Sequence, residues 1–389
     1  MSTADYNNSN HWFATNQRKY GDAVTRSIKP QATIRRANAV LERIGVTQVA
    51  EVTHLDRIGI PNYMSVRPRD LGPGISYYNG KGTTRLDAHA GALMEAVERQ
   101  AGEFCEYDIV TGSYAALRGQ TACVNPREII VPTVCEYSED MILEWVSGYD
   151  LLTHEAKLVP LNCVVCPYQP SGGTTLFYAS TNGLASGNTR TEALCHALCE
   201  IIERDALAET TARAQLKPAV AQVLSGIGYA QPDGAGSDRP RMIPLRGLPR
   251  KAALLAGKMQ RSGLQIFLRD LTSTAGIATI DCTIVEAGAD GIPNAHGGCG
   301  THPDARIALT RALTEAAQSR IACIQGGRED LPDIIKPRAP YDPEEMYGGD
   351  QLIEFRISRP TVTTLSTPTS ASCCSACAIG DLTKPSPSI

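Results

Sequence analysis

Long segments with apolar residues at helical spacing alternate along the chain with short apolar runs. Apolar side chains recur every three or four residues over about 32–44, 84–105, 189–212, 251–262 and 304–325. This period predicts amphipathic helices, because such positions share one helix face. In the first segment the predicted apolar face consists of Ile34, Ala37, Val40, Leu41 and Ile44.

Short runs of apolar and β-branched residues predict strands between these helices. The predicted strands are 129–131, 142–146, 158–160, 174–180, 265–270 and 277–285. Short strands and turns are expected over 49–70, and a glycine-rich turn at 297–300 is expected to lead into the last long helix. Together these elements predict an α+β fold with mixed β-sheets and long helices.

Changes in composition divide the chain into three expected parts. They are a polar segment and helix over 1–44, a main domain over 45–330, and an irregular tail over 331–389 that is rich in Pro, Ser, Thr and Cys. Residues 1–30 are expected to be loose, and the last 30 residues to be poorly ordered apart from local turns. The segment 225–241, dense in Gly, Pro, Asp and Ser, is the best candidate for a linker or surface loop.

Charge and aromatic content argue against nucleic acid and anionic membrane as partners. The 389 residues include 41 acidic and 37 basic side chains, a net charge of −4, and only 5% aromatic residues. The long uncharged stretches 158–188 and 360–380 are too rich in Ser, Thr, Gly and Pro to lie in hydrocarbon. The polar N-terminus lacks the features of a secretory signal, so a cytoplasmic protein is expected.

Thirteen cysteines are many for a cytoplasmic chain, and a disulfide framework is not expected there. Buried thiols or an anaerobic host account for them, and two groups have metal-compatible spacing. Cys163 and Cys166, joined with the tail group Cys373, Cys374 and Cys377, could form a four-cysteine zinc or iron–sulfur site. Alternatively, the first pair are thiols of a strand, and the tail group carries sulfur or has no role. Cys195 and Cys199 share a helix face and are predicted to pack.

One motif occurs twice. The residues EAVER at 95–99 recur as EIIER at 200–204, each inside a predicted helix and each preceded by a glycine-containing turn. Such doubling predicts two similar halves that face one another.

Acidic residues form a stripe on each of these two helices. Gly91, Glu95, Glu98 and Gly102 share one face of the first, with Leu86, Ala90, Leu93 and Val97 opposite and towards the core. Glycine inside a helix costs about 1 kcal/mol relative to alanine, so we expect these glycines to leave space for a ligand. On the second helix the stripe is Glu192, His196, Glu200 and Glu203. Five carboxylates brought together would need cations, and their hard oxygens suit Mg²⁺.

Basic residues near these stripes suggest a phosphate ligand. Arg311 and Glu315 are one turn apart on the third long helix, and Lys81 lies between two glycines. The site would therefore hold a polyphosphate through magnesium ions. The alternative is that each ExxER motif is a solvated helix face with an internal ion pair. Neither a P-loop nor a GxGxxG motif is present in the sequence.

The combination and order of these motifs resemble the YcaO family of ATP-dependent enzymes that modify peptide backbones. The matching signatures are GALMEAVER at 91–99, NTRTE at 188–192 followed by EIIER at 200–204, and RALTE at 311–315. The resemblance covers about 45–330 and implies binding of ATP and Mg²⁺. It implies Glu95, Glu98, Glu200 and Glu203 as metal ligands, and a nucleotide site formed by Lys81, Gly91, Glu95, Asn188, Glu192, Arg204, Arg311 and Glu315.

One residue of this site departs from the family pattern, and another has two possible roles. Gly91 stands where the family usually has serine, so a hydroxyl contact is lost. His196 either donates a hydrogen bond into the site or pairs with one of the carboxylates. No catalytic residue is assigned.

Within the family, the segments 52–61, 143–151 and 311–330 resemble the archaeal branch that works with a TfuA protein. In methanogens that branch is linked to thioamidation of a glycine in the alpha subunit of methyl-coenzyme M reductase. The implied chemistry is attack of a sulfur nucleophile on the backbone carbonyl, transfer of the γ-phosphoryl group of ATP to the resulting oxyanion, and departure of phosphate. The implied partners are a TfuA-like protein and a protein or peptide substrate, with a homodimer as an open alternative.

Two other functions stay open. One is an azoline-forming cyclodehydratase that uses a Cys, Ser or Thr of its substrate as the nucleophile, and the other is a non-catalytic scaffold. In the preferred function the sulfur comes from outside the chain, so no cysteine within residues 1–330 is expected to be essential.

Overall fold

Long helices pack against small antiparallel sheets in the computed structural model of the protein. The structure describes residues 19, 26–68, 75–103, 107–129, 136–216, 223, 239–288, 291–327, 341–349 and 352–355. The α-helices are α1 (Pro30–Asn38), α2 (Arg85–Glu103), α3 (Tyr114–Leu117), α4 (Arg190–Thr211), α5 (Arg250–Arg261), α6 (Ala305–Gln325) and α7 (Pro343–Tyr347). Short 3₁₀ turns cover Thr53–Leu55, Pro126–Glu128 and Leu161–Cys163, and a π-turn, Ala212–Leu216, extends α4.

The strands form three sheets. They are β1 (Gln48–Glu51), β2 (Asn62–Val66), β3 (Tyr77–Lys81), β4 (Val110–Ser113), β5 (Ile142–Tyr149), β6 (Ala156–Pro160), β7 (Arg241–Met242), β8 (Gln265–Asp270), β9 (Thr279–Glu286) and β10 (Asn294–Thr301). The strand orders are β1-β2-β3, β4-β5-β6 and β10-β9-β8-β7, and the ladders are antiparallel. Isolated parallel bridges join Cys123 to Leu158 and Met242 to Leu352. The expected α+β class is confirmed.

A β-hairpin followed by a helix occurs twice. The hairpin β2–β3 leads into α2, and the hairpin β9–β10 leads into α6. A Cβ atom on Gly80 of β3 would collide with the α2 backbone at Ala88 and Ala92, and one on Gly300 of β10 would collide with the α6 backbone at Ala308. In both units the helix therefore crosses its strand so closely that only glycine fits.

The main apolar core lies between α5, α6 and the sheet of β8 and β9. Its bulkiest fully buried members include Met259, Leu268, Ile284, Leu309 and Leu313. Because α6 is buried along most of its length, it forms a rigid support for the polar side chains at its edge. A smaller cluster around Tyr78 and Val97 packs α2 against β3.

Three sequence predictions are wrong in local detail. Residues 297–300 belong to strand β10 rather than to a turn. Gly298 and Gly300 have no side chain, so the α6 backbone can pack directly against this strand. Residues 174–180 are irregular rather than a strand. Leu86, expected in the core, is 40% exposed, because α2 buries the face that carries Ala88, Ala92 and Leu93.

Other predictions concern parts of the chain that the structure does not describe. They include most of 1–30, most of the 225–241 loop, residues 130 and 131, and the tail from 356 onwards with its three cysteines. Among the described residues, no helix is long and apolar enough to cross a membrane.

Candidate active site

Three helices carry the predicted site residues, and a polar side chain fixes where each helix begins. The Thr84 hydroxyl accepts a hydrogen bond from the Asp87 amide at the start of α2. Thr189 caps α4 and Asp304 caps α6 in the same manner. The starts of the helices set the rotation of each acidic stripe.

The two ExxE motifs come together at Glu98. Burial, together with the charges of Glu95 and Glu200, raises the pKa of Glu98 to about 7. Ser186 partly offsets this effect, because its amide and hydroxyl donate to Glu98 Oε2 at 2.7 and 2.9 Å. Gly183 donates its amide to Glu200 Oε2 at 3.2 Å. Carboxylates of α2 and α4 thus share one polar region, as the repeat predicted.

A second group joins α4, α6 and β3. Lys81 Nζ lies 2.5 Å from Glu315 Oε2. Burial and the nearby Glu315 charge raise the pKa of Glu203. Burial alone would raise the pKa of Glu315 as well, but Lys81 and Arg311 lower it overall. The pKa shifts of these two carboxyl groups therefore run in opposite directions, upward for Glu203 and downward for Glu315.

The third group lies at the start of α4 and includes residues that the sequence did not reveal. Glu192 accepts hydrogen bonds from the Asn188 amide at 2.9 Å and from the Ser27 amide at 2.5 Å. Arg26 Nη1 lies 3.8 Å from Glu192 Oε2, and Thr33 donates to Asn188 Oδ1 at 3.0 Å. Residues 26–33, at the edge of the segment expected to be loose, therefore pack onto the site.

Arg311 reaches α4 through His196. Its Nη2 donates to His196 Nε2 at 3.2 Å, since arginine cannot accept a hydrogen bond. Burial, together with the charges of Arg311 and Arg26, lowers the pKa of His196 well below its usual value, so the imidazole is neutral. His196 thus pairs with an arginine rather than with a carboxylate. The buried Arg311 Nε has no hydrogen-bond partner among the residues that the structure describes.

The glycines of the α2 stripe make room for other parts of the same chain rather than for a ligand. A Cβ atom on Gly91 would lie 3.3 Å from Gly80 Cα in β3, and one on Gly102 would lie 2.6 Å from Leu184 Cδ2. The predicted space for a ligand is thus filled at both positions. Arg204, predicted in the nucleotide site, has a side chain 51% exposed and 3.4 Å from Glu200.

The carboxylates of the ExxE motifs suit a metal ion whose remaining ligands are phosphate and water. Among the described residues no three Asp, Glu, His or Cys side chains converge into a ready-made metal site. Burial and neighbouring carboxylates nevertheless raise the pKa values of Glu98 and Glu203, and a bound cation would offset both effects. Oxygen donors of this kind suit Mg²⁺, which usually takes one or two carboxylates together with substrate phosphates and water.

The described cysteines form no such site either. Cys163 ends a 3₁₀ turn and Cys166 follows it in a loop, so they are not strand thiols as predicted. Cys195 is exposed on the site face of α4, and Cys199 is buried one turn later.

Comparison with known proteins places these motifs in a family. The family model described as YcaO cyclodehydratase, ATP- and Mg²⁺-binding, matches residues 79–359. A protein of Methanothermobacter thermautotrophicus is 37% identical over 305 residues, which are 78% of this chain and 73% of that protein. A protein of Rhizobium leguminosarum bv. trifolii named for its place in the tfuA 3′ region is 31% identical over 321 residues, 80% of this chain and 70% of that protein.

A solved structure shares the fold. YcaO from Methanopyrus kandleri, bound with AMPPCP and Mg²⁺, superposes with a TM-score of 0.61 at 25% identity. The match covers 86% of this chain and 79% of that one.

Proposed function

The chain belongs to the YcaO family, and on that premise we propose that it uses ATP and Mg²⁺ to activate a peptide backbone amide. The product we propose is a thioamide on a protein glycine, in the alpha subunit of methyl-coenzyme M reductase, formed with a TfuA-like partner.

The convergence of the two ExxE pairs carries this proposal. Burial and the nearby charges of Glu95 and Glu200 together raise the pKa of Glu98 to about 7. A scaffold protein has no use for such repulsion, whereas a metal–phosphate site resolves it. The alternative of two solvated helix faces does not fit, because Glu203 is only 4% exposed.

The residues divide into two roles. Glu95, Glu98, Glu200 and Glu203 would hold Mg²⁺, and the nucleotide would contact Lys81, Asn188, Glu192, Arg204, Arg311 and Glu315, whereas Gly91 packs against β3. We add Arg26, whose guanidinium lies beside Glu192 and within electrostatic range of Arg311. Bound Mg²⁺ would neutralise phosphate charge, and the task of this chain is to orient the phosphates and the amide.

The proposed reaction balances with sulfide as the second substrate. Sulfide forms a C–S bond at the amide carbon, the carbonyl oxygen takes the γ-phosphoryl group, and the C–O bond then breaks. The products are the thioamide, ADP and phosphate, with the amide oxygen in the phosphate. Phosphorylation is needed because an amide oxygen is a poor leaving group. Lys81, which lies beside Glu315, and Arg311, which lies beside His196, would stabilise the developing charge.

A relative supports the choice of partner. The Rhizobium relative takes its name from the neighbourhood of tfuA, and the segments 52–61, 143–151 and 311–330 resemble the TfuA-associated branch. The matching family model is named for cyclodehydratases, so azoline formation from a Cys, Ser or Thr of the substrate is the second candidate.

One experiment separates these functions. The purified protein is incubated with MgATP, sulfide and candidate substrate peptides, with and without the TfuA-like protein, and intact masses are measured. Replacement of oxygen by sulfur adds mass, whereas cyclodehydration removes water. A thioamide is expected. Loss of water would favour the second candidate, and unchanged mass with no ATP consumption would favour a scaffold.

A further inference from the structure

A buried carboxylate outside the site organises a segment that reaches into it. Glu144, on β5, is 2% exposed. Its Oε1 accepts hydrogen bonds from the Ser171 amide at 3.0 Å, the Ser171 hydroxyl at 2.5 Å and the Gly172 amide at 2.8 Å. Its Oε2 accepts one from the Tyr168 hydroxyl at 2.8 Å. All four donors belong to residues 168–188, here called the strap, which runs from the β4-β5-β6 sheet to α4.

Two further contacts fix the same part of the strap. Asn162 Oδ1 accepts hydrogen bonds from the Leu176 amide at 2.8 Å and the Phe177 amide at 3.3 Å. A Cβ atom on Gly173 would lie 2.8 Å from the Glu144 backbone nitrogen, so the strap lies directly on β5. Thr174 donates its amide to the Ile142 carbonyl of β5 at 2.9 Å, but the side chain of Asn162 accepts from Leu176 and Phe177, so 174–180 is irregular although its sequence resembles a strand.

The other end of the strap supplies donors to the predicted metal ligands. Gly183 donates to Glu200, and Ser186 donates twice to Glu98. Between them, Leu184 fills the space left by Gly102 on α2. A single segment therefore holds one carboxylate from each ExxE motif.

We propose that Glu144 is a positioning residue for the metal-binding carboxylates, acting through the strap. Its four hydrogen bonds fix one end of the strap, and the strap places the amides of Gly183 and Ser186 at Glu200 and Glu98. The proposal rests on the proposed function, in which these two carboxylates hold Mg²⁺.

The chemistry of Glu144 suits this role. An ionised carboxylate only accepts hydrogen bonds, which matches four donors that point at it. Burial would raise the pKa of Glu144, but the hydrogen bonds from Ser171 and Tyr168 outweigh burial and lower it. Glutamine at this position would remove the charge that strengthens all four hydrogen bonds, and its NH₂ group could face only the Tyr168 hydroxyl, which would have to accept instead of donate.

The test compares Glu144→Gln with Asp150→Asn in the full chain. Asp150 follows the same strand and also accepts several hydrogen bonds, from Lys157 at 2.6 Å, Leu152 at 2.8 Å and Thr153 at 3.0 Å, but none of them comes from the strap. Three quantities are measured: melting temperature, hydrogen exchange of the amides at 183–186 without nucleotide, and the Mg²⁺ concentration that gives half-maximal ATP turnover.

Glu144→Gln is expected to speed exchange at 183–186 and to raise the Mg²⁺ requirement about tenfold, the lower end of the effect of losing a hydrogen-bond partner of a metal ligand. Asp150→Asn should change neither, even if both variants melt earlier. Unchanged exchange and Mg²⁺ requirement in Glu144→Gln would overturn the proposal. If the wild type neither binds nor hydrolyses MgATP, the proposed function fails, whereas the exchange comparison still decides whether Glu144 controls the strap.

Discussion

Lys81 and Glu315 form an ion pair across the site, with Lys81 Nζ 2.5 Å from Glu315 Oε2. Lys81 ends β3 in the first hairpin–helix unit, and Glu315 lies on α6 in the second. The pair therefore joins the two units at the place where the phosphates of a nucleotide are proposed to bind. A phosphate that approaches Lys81 must share it with a carboxylate.

This pairing predicts a non-additive mutant cycle. Lys81→Ala should weaken binding of an MgATP analogue by about 1.5–3 kcal/mol, because it removes a cation and leaves Glu315 unpaired near the phosphates. In Lys81→Ala/Glu315→Gln part of that loss should return, because the repulsion is gone. Calorimetric titration of the wild type, both single variants and the double variant gives the coupling. Additive losses would mean that the two side chains act independently on the nucleotide.

Removal of a predicted metal ligand should stop ATP turnover without unfolding the protein. Glu95→Ala or Glu203→Ala is expected to abolish hydrolysis, because the metal loses an oxygen ligand that water replaces poorly. The control is Glu209→Ala, which removes an exposed carboxylate of α4 paired only with Arg213. Phosphate release and circular dichroism are measured for all three. Normal hydrolysis by both site variants would remove these carboxylates from the metal site.

Arg311 should contribute to nucleotide affinity. Arg311→Ala is expected to weaken binding of the nucleotide by about 10–150-fold, which corresponds to about 1.5–3 kcal/mol for a hydrogen bond between charged groups. Arg311→Lys should recover only part of this affinity, because lysine lacks the planar fork of donors. Calorimetry that shows unchanged affinity in Arg311→Ala would leave Arg311 as a structural partner of His196.

The sequence predicted the helices and their acidic faces because both depend on local periodicity. The long helices begin and end within a few residues of the predicted limits, and Glu98 and Glu200 approach each other as the repeated motif indicated. Arg26 could not be found in this way. Its contact with Glu192 joins distant parts of the chain, and no spacing rule links them.

Local composition gave the wrong secondary structure in two places, because tertiary contacts determine the structure there. The glycines at 297–300 suggest a turn, but they lie in strand β10. Gly298 and Gly300 are needed there because the α6 backbone packs directly against them. The apolar run 174–180 resembles a strand, but the structure assigns none there, and the side chain of Asn162 accepts the hydrogen bonds of the Leu176 and Phe177 amides. Glu144 itself carries no sequence signal, since a single acidic residue in a strand has many explanations.

Magnesium affinity should depend on pH through Glu98. Its pKa is raised to about 7 in the folded protein, so below about pH 7 a proton competes with the metal, because a ligand carboxylate must be ionised. Apparent Mg²⁺ affinity, measured by titration with an ATP analogue present, should fall as the pH drops from about 8 to about 6. Glu98→Gln should bind Mg²⁺ weakly at every pH. A pH-independent affinity in the wild type would contradict this prediction.

The raised pKa of Glu98 also predicts how the stability of the metal-free protein depends on pH. A carboxyl group with a raised pKa favours the folded state below its ordinary pKa, and this contribution is lost as pH rises through about 7. The melting temperature of the metal-free protein should therefore decrease as the pH rises from about 4.5 to about 7, and it should change less in Glu98→Gln.

Cys195 should be the most reactive of the described thiols while not being essential. A hydrogen bond from Cys199 and the nearby cations Lys19, Arg26 and Arg311 together outweigh burial and lower the pKa of Cys195 to about 6. Burial raises the pKa of other described thiols, including Cys123, Cys166, Cys282 and Cys323. Iodoacetamide labelling followed by peptide mass spectrometry should therefore show half-maximal rate at Cys195 near pH 6, because the thiolate is the nucleophile.

Two further measurements connect this thiol to the site. MgATP should slow labelling of Cys195, because the phosphates would compete for Arg26 and Arg311. Cys199→Ala should move the midpoint of labelling upwards, because the hydrogen bond is lost. Cys195→Ala and Cys199→Ala should both form thioamide from added sulfide at the normal rate if, as proposed, the sulfur comes from outside residues 1–330. Loss of thioamide formation in either variant, with ATP binding intact, would instead place a thiol of α4 in the sulfur-transfer step.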